Sequence, residues 1–364
     1  MDIVEQQQGF DIADLVRLAY KRRASDIHIT AGVPPILRIN GELTKIGTVP
    51  LQPVHTEALI MPIVPAPCRD ELAKDGQTDF SYAVAGIGRC RVNIYKQRGA
   101  LGAALRIIAD VIPRPESLGL NPSVIDLTNR KRGMVLVTGP TGSGKSTTLA
   151  SLVDVISKTY SHHVITLEDP IEYMHKHNKA MVNQREIGLD ASSFAGALRA
   201  SLREDPDVIL VGEMRDLETI STAITAAETG HLVFSTLHTI GAASTIDRII
   251  DVFPPYQQQQ IRVQLANVLE CVISQQLMPL ADGTGRVAAF EVMHASPAIK
   301  NLIRESKIHM IPAMVQTSRR QGMITMDDAI YDLFTSHRID EETAVSYAQD
   351  PTTMAKKVAQ SKGQ

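Results

Sequence analysis

The sequence predicts a two-part α/β protein, in which a small antiparallel α+β domain precedes a doubly wound parallel α/β domain with helices at its C-terminal end. Apolar and polar residues alternate with period two in short runs of the first hundred residues, as in antiparallel strands. Continuous apolar runs alternate with helical patterns after residue 130, as in a parallel sheet buried on both faces. A glycine-rich loop joins the first of these runs to a helix, and 364 residues are enough for two cores.

The first domain begins with an amphipathic helix over residues 11–23, where four apolar residues recur at helical spacing. A hairpin signal follows, because the dipeptide Asn40-Gly41 stands between two period-two runs. Strands are predicted at 27–30, 36–39, 42–44, 80–84, 89–95 and 103–108.

Prolines 113, 115 and 122 mark the end of this pattern, because proline continues neither a ladder nor a helix interior. We therefore predict a first domain at 1–110, a linker at 111–122, a core at 123–295 and a C-terminal helical extension at 296–364.

The core is predicted to be a doubly wound parallel sheet. Its predicted strands are 134–138, 163–168, 208–212, 232–236 and 287–292. Its predicted helices are 145–158, 194–203, 217–228 and 242–251. The polar stretch from Met354 to Gln364 is predicted to fray at the end of the extension.

Composition limits the class of partner and compartment. A formal net charge of −3 gives no basic field that favours nucleic acid. Cys68, Cys90 and Cys271 form no CxxC pair, which is typical of reduced cytosolic thiols. The N-terminal residues lack the pattern of a signal peptide, and no run of about 18 apolar residues would span a membrane. These features predict a cytoplasmic protein without nucleic acid.

A phosphate-binding loop of the pattern G-x-x-x-x-G-K-[ST] lies between a strand and a helix. Its glycines allow backbone N–H groups to surround phosphate oxygens, and the helix directs its positive end at the same anion. Lys145 adds a charge at the β- and γ-phosphates, and the Ser146 hydroxyl ligates Mg²⁺. ATP and Mg²⁺ are the predicted cofactors. The predicted nucleotide-binding residues are Gly139, Pro140, Thr141, Gly142, Ser143, Gly144, Lys145, Ser146 and Thr147.

Two glutamates follow buried strands and are candidates for the metal and for activating water. Glu213 ends the strand 208–212, where many P-loop ATPases have Asp then Glu, and Gly212 stands at the Asp position. Glu168 ends another strand, at an edge that faces the ligand crevice in such sheets. Either Glu213 orients water and Glu168 serves the metal, or the reverse. Glu213 could also be a solvated strand end that pairs with Arg215.

Histidines and arginines offer further candidates. His231 and His238 stand at the two ends of one strand. His238 is at the C-terminal end, near the ligand crevice, where an imidazole could contact the γ-phosphate. Taken alone, each histidine fits a structural role better. Arg89, Arg91, Arg98 and Arg106 of the first domain could stabilise charge during phosphoryl transfer or could form a solvated sheet face.

Several strings together resemble the PilT family of type IV pilus retraction ATPases, within the secretion-ATPase superfamily. A C-terminal string, Ala298–Glu305, resembles the family's AIRNLIRE motif, with Lys300 in place of an arginine. The other matching strings are 24–30, 89–93, 139–147, 165–173 (Asp box), 199–215 (atypical Walker B strand) and 228–239 (His box).

The resemblance implies a PAS-like N-terminal domain, a RecA-like ATPase core and a homohexamer. It implies catalytic roles for Arg91, Arg106, His231 and His238, beside Lys145. It also implies a motor that retracts pili in twitching motility, acting on an inner-membrane platform protein. Such a motor would work at the inner face of the cytoplasmic membrane and would associate with it only through partners.

Two alternatives stay open at this point. The chain could be a pilus-extension or type II secretion assembly ATPase, although it lacks the extra N-terminal domain and the four-cysteine site of those relatives. It could also be a nucleotide-binding accessory subunit that turns over little ATP.

Overall fold

The computed structural model describes residues 10–39, 41–108 and 111–361, and these divide into two compact units. The first unit comprises the described residues up to Val111 together with Pro170–Met174. The second comprises Ile112–Asp169 and the chain from His175 onward. The predicted turn residue Asn40 and the predicted domain end at Asp110 lie outside the described residues.

The first unit is an antiparallel sheet covered by helices. Its strands are β1 (Asp26–Ile29), β2 (Ile36–Ile39), β3 (Glu42–Lys45), β4 (Gln77–Val84), β5 (Gly88–Gln97) and β6 (Ala100–Ile107). Its helices are α1 (Ile12–Lys21), α2 (Pro53–Ile60) and α3 (Ala66–Asp75), with a 3-10 turn at Met61–Ile63. The strand order is β3-β2-β1-β6-β5-β4. The four apolar residues that predicted α1 are all buried, so its core face is the one that the periodicity indicated.

The second unit begins with two short helices and contains the predicted α/β core. Its strands are β7 (Gly133–Thr138), β8 (His163–Glu168), β9 (Met181–Glu186), β10 (Val208–Val211), β11 (Leu232–Leu237), β12 (Leu269–Pro279) and β13 (Arg286–His294). Its helices are α4 (Pro115–Leu118), α5 (Pro122–Ile125), α6 (Lys145–Thr159), α7 (Phe194–Ser201), α8 (Leu217–Glu228), α9 (Ala242–Asp251), α10 (Pro255–Val268), α11 (Pro297–Arg304), α12 (Ile311–Thr317), α13 (Met326–Thr335), α14 (Glu341–Tyr347) and α15 (Pro351–Ser361). Short 3-10 turns lie at Asp126–Asn129, Ile308–Met310 and Arg319–Gln321.

The seven strands of this unit lie in the order β13-β12-β7-β11-β10-β8-β9. All neighbours are parallel except β12 and β13, which form an antiparallel pair. Residues of β7 alternate between two apolar cores on the two faces of the sheet, with Met134 and Leu136 in one and Val135 and Val137 in the other. The continuous apolar run of β7 is therefore explained by burial on both sides.

The predicted strand 287–292 is real, but it is antiparallel rather than parallel. β12 ends at Pro279 and the chain returns through a short turn in which Gly283 has a φ of 69°. A connection this short joins antiparallel strands only, because a parallel strand needs a long crossover.

The predicted linker at 111–122 is partly helical. Pro115 and Pro122 stand at the first positions of α4 and α5, where a missing N–H costs nothing. Leu120, between the two helices, is buried in the core of the second unit. Two of the three prolines that suggested a linker thus mark helix starts.

The C-terminal stretch does not fray over its described residues. α15 places Met354 and Val358 one turn apart, and both side chains are buried. They join a small apolar core with residues of β12, β13, α13 and α14. Two apolar residues at i and i+4 are enough to fix one face of a helix that is otherwise polar.

The three cysteines are buried and free of disulfides. Burial raises the pKa of the Cys90 thiol to about 12 and also raises that of Cys271. Both thiols are therefore protonated and unreactive at neutral pH.

Among residues 10–39, 41–108 and 111–361, no helix is both long and apolar enough to cross a membrane.

Candidate nucleotide site

The phosphate loop connects the end of β7 to the start of α6, as its motif predicts. Gly139, Gly142 and Gly144 have φ values of 141°, 78° and 90°, which side chains with a Cβ rarely adopt. A Cβ on Gly139 would also collide with the backbone oxygen of Gln275. The glycines are therefore required by the course of the backbone itself, before any ligand is considered.

The Lys145 side chain lies inside this loop. It is 9% exposed, and its Nζ donates to the carbonyl oxygens of Gly139, at 2.9 Å, and Pro140, at 3.1 Å. These contacts hold the ammonium group where the loop backbone curves around it. The position fits a lysine that reaches the terminal phosphates of a nucleotide.

Gln275 supports the loop from β12 and was missed in the sequence. Its side chain is buried, its Nε2 donates to Ser143 O at 2.5 Å, and its Oε1 accepts from Thr148 Oγ1 at 2.8 Å. A buried glutamine requires hydrogen-bond partners, but the strand that buries Gln275 was itself not predicted.

The two candidate glutamates and the phosphate loop all follow the carboxyl ends of parallel strands, on the same side of the sheet. Strand order places β11 beside β7, then β10, then β8. At about 4.8 Å per strand, the end of β10 is roughly 10 Å from the end of β7, and the end of β8 is roughly 14 Å away. Glu213, after β10, is therefore nearer to the phosphate loop in strand order than Glu168, the last residue of β8.

Glu213 lies beside two ionisable side chains. Its Oε2 is 2.8 Å from Arg215 Nε and 3.6 Å from His238 Nε2. The pairing with Arg215 that was considered as an alternative is thus present. It contributes little, because the Arg215 side chain is 72% exposed and solvent screens the pair. The structure thus places His238 beside Glu213.

Glu168 accepts hydrogen bonds from two polar side chains, one on its own strand β8 and one on the neighbouring strand β9. Its Oε1 accepts from Thr166 Oγ1 at 2.5 Å and from Gln184 Nε2 at 3.0 Å. Gln184 Oε1 in turn accepts the backbone N–H of His175 at 2.8 Å. Gln184 is a second positioning residue that the sequence did not reveal, because its strand β9 was not predicted.

The His175 imidazole is neutral beside this network. Burial lowers the pKa of His175 to about 4, and its Nδ1 is buried without a hydrogen-bond partner among the described residues. It therefore adds no positive charge near Glu168 at physiological pH.

Gly212 occupies the position where an aspartate was expected from other P-loop ATPases. Its N–H donates to Leu167 O at 2.7 Å, and its carbonyl oxygen accepts from Thr236 Oγ1 at 2.6 Å. A Cβ here would stand 3.0 Å from Leu167 O and 3.4 Å from Glu168 Cα. The close approach of β10 and β8 thus favours glycine.

Gly212→Ala is expected to lower the free energy of unfolding by about 1–3 kcal/mol, because the added methyl group overpacks against the backbone of β8. Chemical denaturation of both proteins measures the change. Gly285→Ala is the control, since a Cβ there meets only a Leu280 methyl group at 3.7 Å. Equal stability of Gly212→Ala and the parent would contradict the packing argument.

His231 does not join this cluster within its own unit. It precedes β11, and its Nδ1 lies 2.9 Å from Ala226 O. β11 runs parallel to β7 with Leu232 opposite Gly133 and Leu237 opposite Thr138. His231 is therefore at the amino-terminal ends of the strands, roughly 20 Å along the strand direction from the phosphate loop.

Arg91 and Arg106 lie together on the sheet of the first unit. They are directly opposite each other on β5 and β6, and both are exposed. Arg106 Nε donates to Asp26 Oδ1 at 2.9 Å. Burial alone would raise the pKa of Asp26, but hydrogen bonds from Ser25 and Arg106 outweigh it and hold that pKa below its ordinary value. The carboxylate offsets the repulsion between the paired arginines.

The helix α11 carries the string that resembles the AIRNLIRE motif. Ile299, Leu302 and Ile303 are buried on one face. Lys300 Nζ donates to Asn267 O at 3.3 Å, and Arg304 Nη2 donates to Asn267 Oδ1 at 2.9 Å. Both cations thus bind the last turn of α10, which a lysine can do as a point charge without a bidentate fork.

The residues fit a magnesium ion that is shared with a bound nucleotide. In the described part of the chain, no group of three or more His, Cys, Asp or Glu could hold a metal alone. Mg²⁺ is usually held by one or two carboxylates together with substrate phosphates. Ser146 in the first turn of α6, with Glu168 and Glu213 at the same sheet edge, supplies a donor set of that kind.

This strand order, with a phosphate loop after β7 and a glutamate after β10, defines a RecA-like P-loop ATPase. The profile of the family described as Type II/IV secretion system protein matches residues 121–337. The chain belongs to this family.

Two relatives and one solved structure match along nearly the whole chain. The Type IV pilus retractation ATPase PilT of Pseudomonas aeruginosa is 47% identical over 94% of this chain and 99% of its own length. A Twitching motility protein of Neisseria gonorrhoeae is 42% identical over 95% and 93%. The crystal structure of the pilus retraction motor PilT with bound ADP has a TM-score of 0.89 and 48% identity, over 95% of this chain and 99% of that chain.

These findings confirm the predicted family, the predicted fold class and the prediction that the protein is an ATPase. The ADP in the solved relative supports nucleotide binding. The individual roles of the site residues stay predictions.

Proposed function

We propose that this chain is the ATP-hydrolysing motor that retracts type IV pili in twitching motility. The observation that carries the proposal is the phosphate loop with Lys145 inside it, in a chain that matches the PilT retraction ATPase over 94% of its length. The proposal includes a homohexamer that acts on an inner-membrane pilus platform protein. It places the motor in the cytoplasm at the membrane face, without nucleic acid and with membrane association only through partners.

The loop residues bind the phosphates of ATP in this proposal. Successive N–H groups from Gly139 to Thr147 and the positive end of α6 attract the phosphate oxygens, and Lys145 neutralises charge at the β- and γ-phosphates. Ser146 and one of the two glutamates, Glu168 or Glu213, would hold Mg²⁺. Bound Mg²⁺ supplies charge neutralisation on the β- and γ-oxygens.

Glu213 is the proposed general base, and Glu168 serves the metal side. The support is that His238, the predicted γ-phosphate contact, lies beside Glu213, with its Nε2 3.6 Å from Glu213 Oε2. Glu168 is turned to Thr166 and Gln184, which hold it as a fixed carboxylate. A carboxylate that is already held by hydrogen bonds is better suited to bind the metal than to receive a proton from water.

Arg91, Arg106 and His231 are proposed to act on charge at the nucleotide of a neighbouring subunit. The support for His231 is that its own phosphate loop lies at the opposite sheet edge. The support for the arginines is that two guanidinium groups are adjacent and exposed on one sheet face. Arginine is the residue that commonly supplies such charge in trans.

Deletion of the gene in its own organism tests the direction of work. We expect hyperpiliated cells that do not twitch, because pili would be assembled and not withdrawn. The parent gene should restore motility, and a Lys145→Ala gene should not. Cells that lose their pili would instead favour an extension or secretion assembly ATPase. Near-absent steady-state phosphate release from the purified protein would favour the accessory alternative.

A further inference from the structure

Gln275 lies directly beneath the phosphate loop. β12 runs parallel to β7 with Ser274 opposite Thr138, so Gln275 is the first residue beyond the end of β7. Its side chain is 1% exposed, and its backbone oxygen stands against Gly139. The residue therefore supports the loop through its main chain and its side chain together.

The orientation of the Gln275 amide is fixed by its two partners. Ser143 O can only accept a hydrogen bond, so the amide nitrogen must face it. The amide oxygen then faces the Thr148 hydroxyl, which donates to it from the first turns of α6. Both contacts are buried, and neither partner can exchange its bond for one with water.

These bonds also determine the direction of the next loop N–H. The peptide that joins Ser143 to Gly144 is planar and trans, so its C=O and N–H point in opposite directions. With Ser143 O held toward Gln275, the Gly144 N–H points away from Gln275. Without the amide donor, a buried carbonyl oxygen would lack a partner and the peptide could rotate.

We propose that Gln275 is a positioning residue of the phosphate loop, which fixes the Ser143–Gly144 peptide so that the Gly144 N–H faces a nucleotide phosphate. It does not touch the reacting atoms. Its effect is on nucleotide affinity, since a loop with freely rotating peptides binds phosphate less well. The inference rests on the nucleotide site proposed above.

Gln275→Met tests the proposal, because methionine keeps the volume and removes both hydrogen bonds. The Kd for a fluorescent ADP analogue, measured with Mg²⁺, is expected to rise about tenfold, and KM for ATP should rise with it while kcat changes less than about threefold. Gln276→Met is the matched control: it is half-buried on the opposite face of the same strand.

Two further variants keep the test independent of folding. Gln275→Glu is isosteric and places an oxygen against Ser143 O, so it should weaken ADP binding at least as much. Thr148→Val leaves the amide donor but removes the hydroxyl that orients it, and we expect a rise in Kd of about two- to threefold.

Unchanged ADP affinity in the folded variants, with only a lower Tm, would overturn the inference and leave Gln275 as a core residue. Failure of the parent protein to bind ADP would be a different result. It would contradict the proposed nucleotide site itself.

Discussion

Lys145→Ala is expected to lower ATP turnover by about 10³-fold, one of the two largest effects that we expect from a single substitution. Lys145 lies inside the phosphate loop and is 9% exposed, so its charge acts in a site that water reaches poorly. Removal of one preorganised group that stabilises transition-state charge costs on the order of 10²–10³ in rate, and here the group carries a full charge. Steady-state phosphate release gives the measurement.

The protein should stay folded and the proposed hexamer should still form, because the carbonyl oxygens of Gly139 and Pro140, which accept from Lys145, lie in the phosphate loop itself. Lys158→Ala is the matched control. It removes a lysine from the same helix, 61% exposed and paired with Asp154 one turn away. A Lys145→Ala protein that hydrolyses ATP at the parent rate would refute the proposed site.

Glu213→Gln is expected to lower turnover by about 10²–10⁴-fold and to leave the affinity for Mg-ATP nearly unchanged. Glutamine keeps the shape of the side chain but cannot accept the proton of an attacking water. The variant should therefore bind nucleotide and stall before cleavage. Single-turnover hydrolysis and direct nucleotide titration measure the two quantities separately.

Glu168→Gln is expected to have the smaller effect on cleavage, about tenfold, and to raise the Mg²⁺ concentration that is needed for half-maximal turnover. The glutamine oxygen can still accept from Thr166 and Gln184, so the local geometry is retained and only charge is lost. Glu218→Gln provides a control, because Glu218 is 56% exposed and pairs with Arg199 on the surface. If Glu168→Gln stalls and Glu213→Gln turns over normally, the two roles must be exchanged.

The elements that carry the site were predictable because their signals are local. The bounds of β8, α8 and α9 agree with the sequence pattern, and the phosphate loop lies between β7 and α6 as its motif requires. A glycine-rich turn between an apolar run and a helix needs no distant partner to be recognised.

Two strands were missed because their sequences give no clear local signal. β9 contains four consecutive polar residues, Asn183 to Glu186, and is held by backbone pairing with β8 at the sheet edge. β12 follows α10 without a glycine or proline to end the helix, since Val268 is helical and Leu269 is already in the strand. Pairing in a sheet overrides local propensity in both places.

Gln184 and Gln275 could not be found from the sequence for the same reason. Each lies on a missed strand, and each acts on a partner that is far away in the chain: Gln184 on Glu168, and Gln275 on Ser143 and Thr148. Such roles depend on strand register, which a single sequence does not provide.

Glu291 on β13 gives the C-terminal helices a direct connection to the core. Its Oε1 accepts the N–H of Ala242, the first residue of α9, at 2.6 Å, and its Oε2 accepts that of Met326, the first residue of α13, at 3.2 Å. Burial raises the pKa of this carboxyl, and the two N–H donors oppose that shift. One acid therefore caps two helices.

Because they share this cap, α13 and α9 are coupled, and a movement of one affects the other. If α13 withdraws, the carboxylate loses one of its two N–H donors, and the start of α9 is destabilised in turn. The C-terminal helical extension is thus joined to the ATPase core through a buried side chain that also holds the first turn of α9.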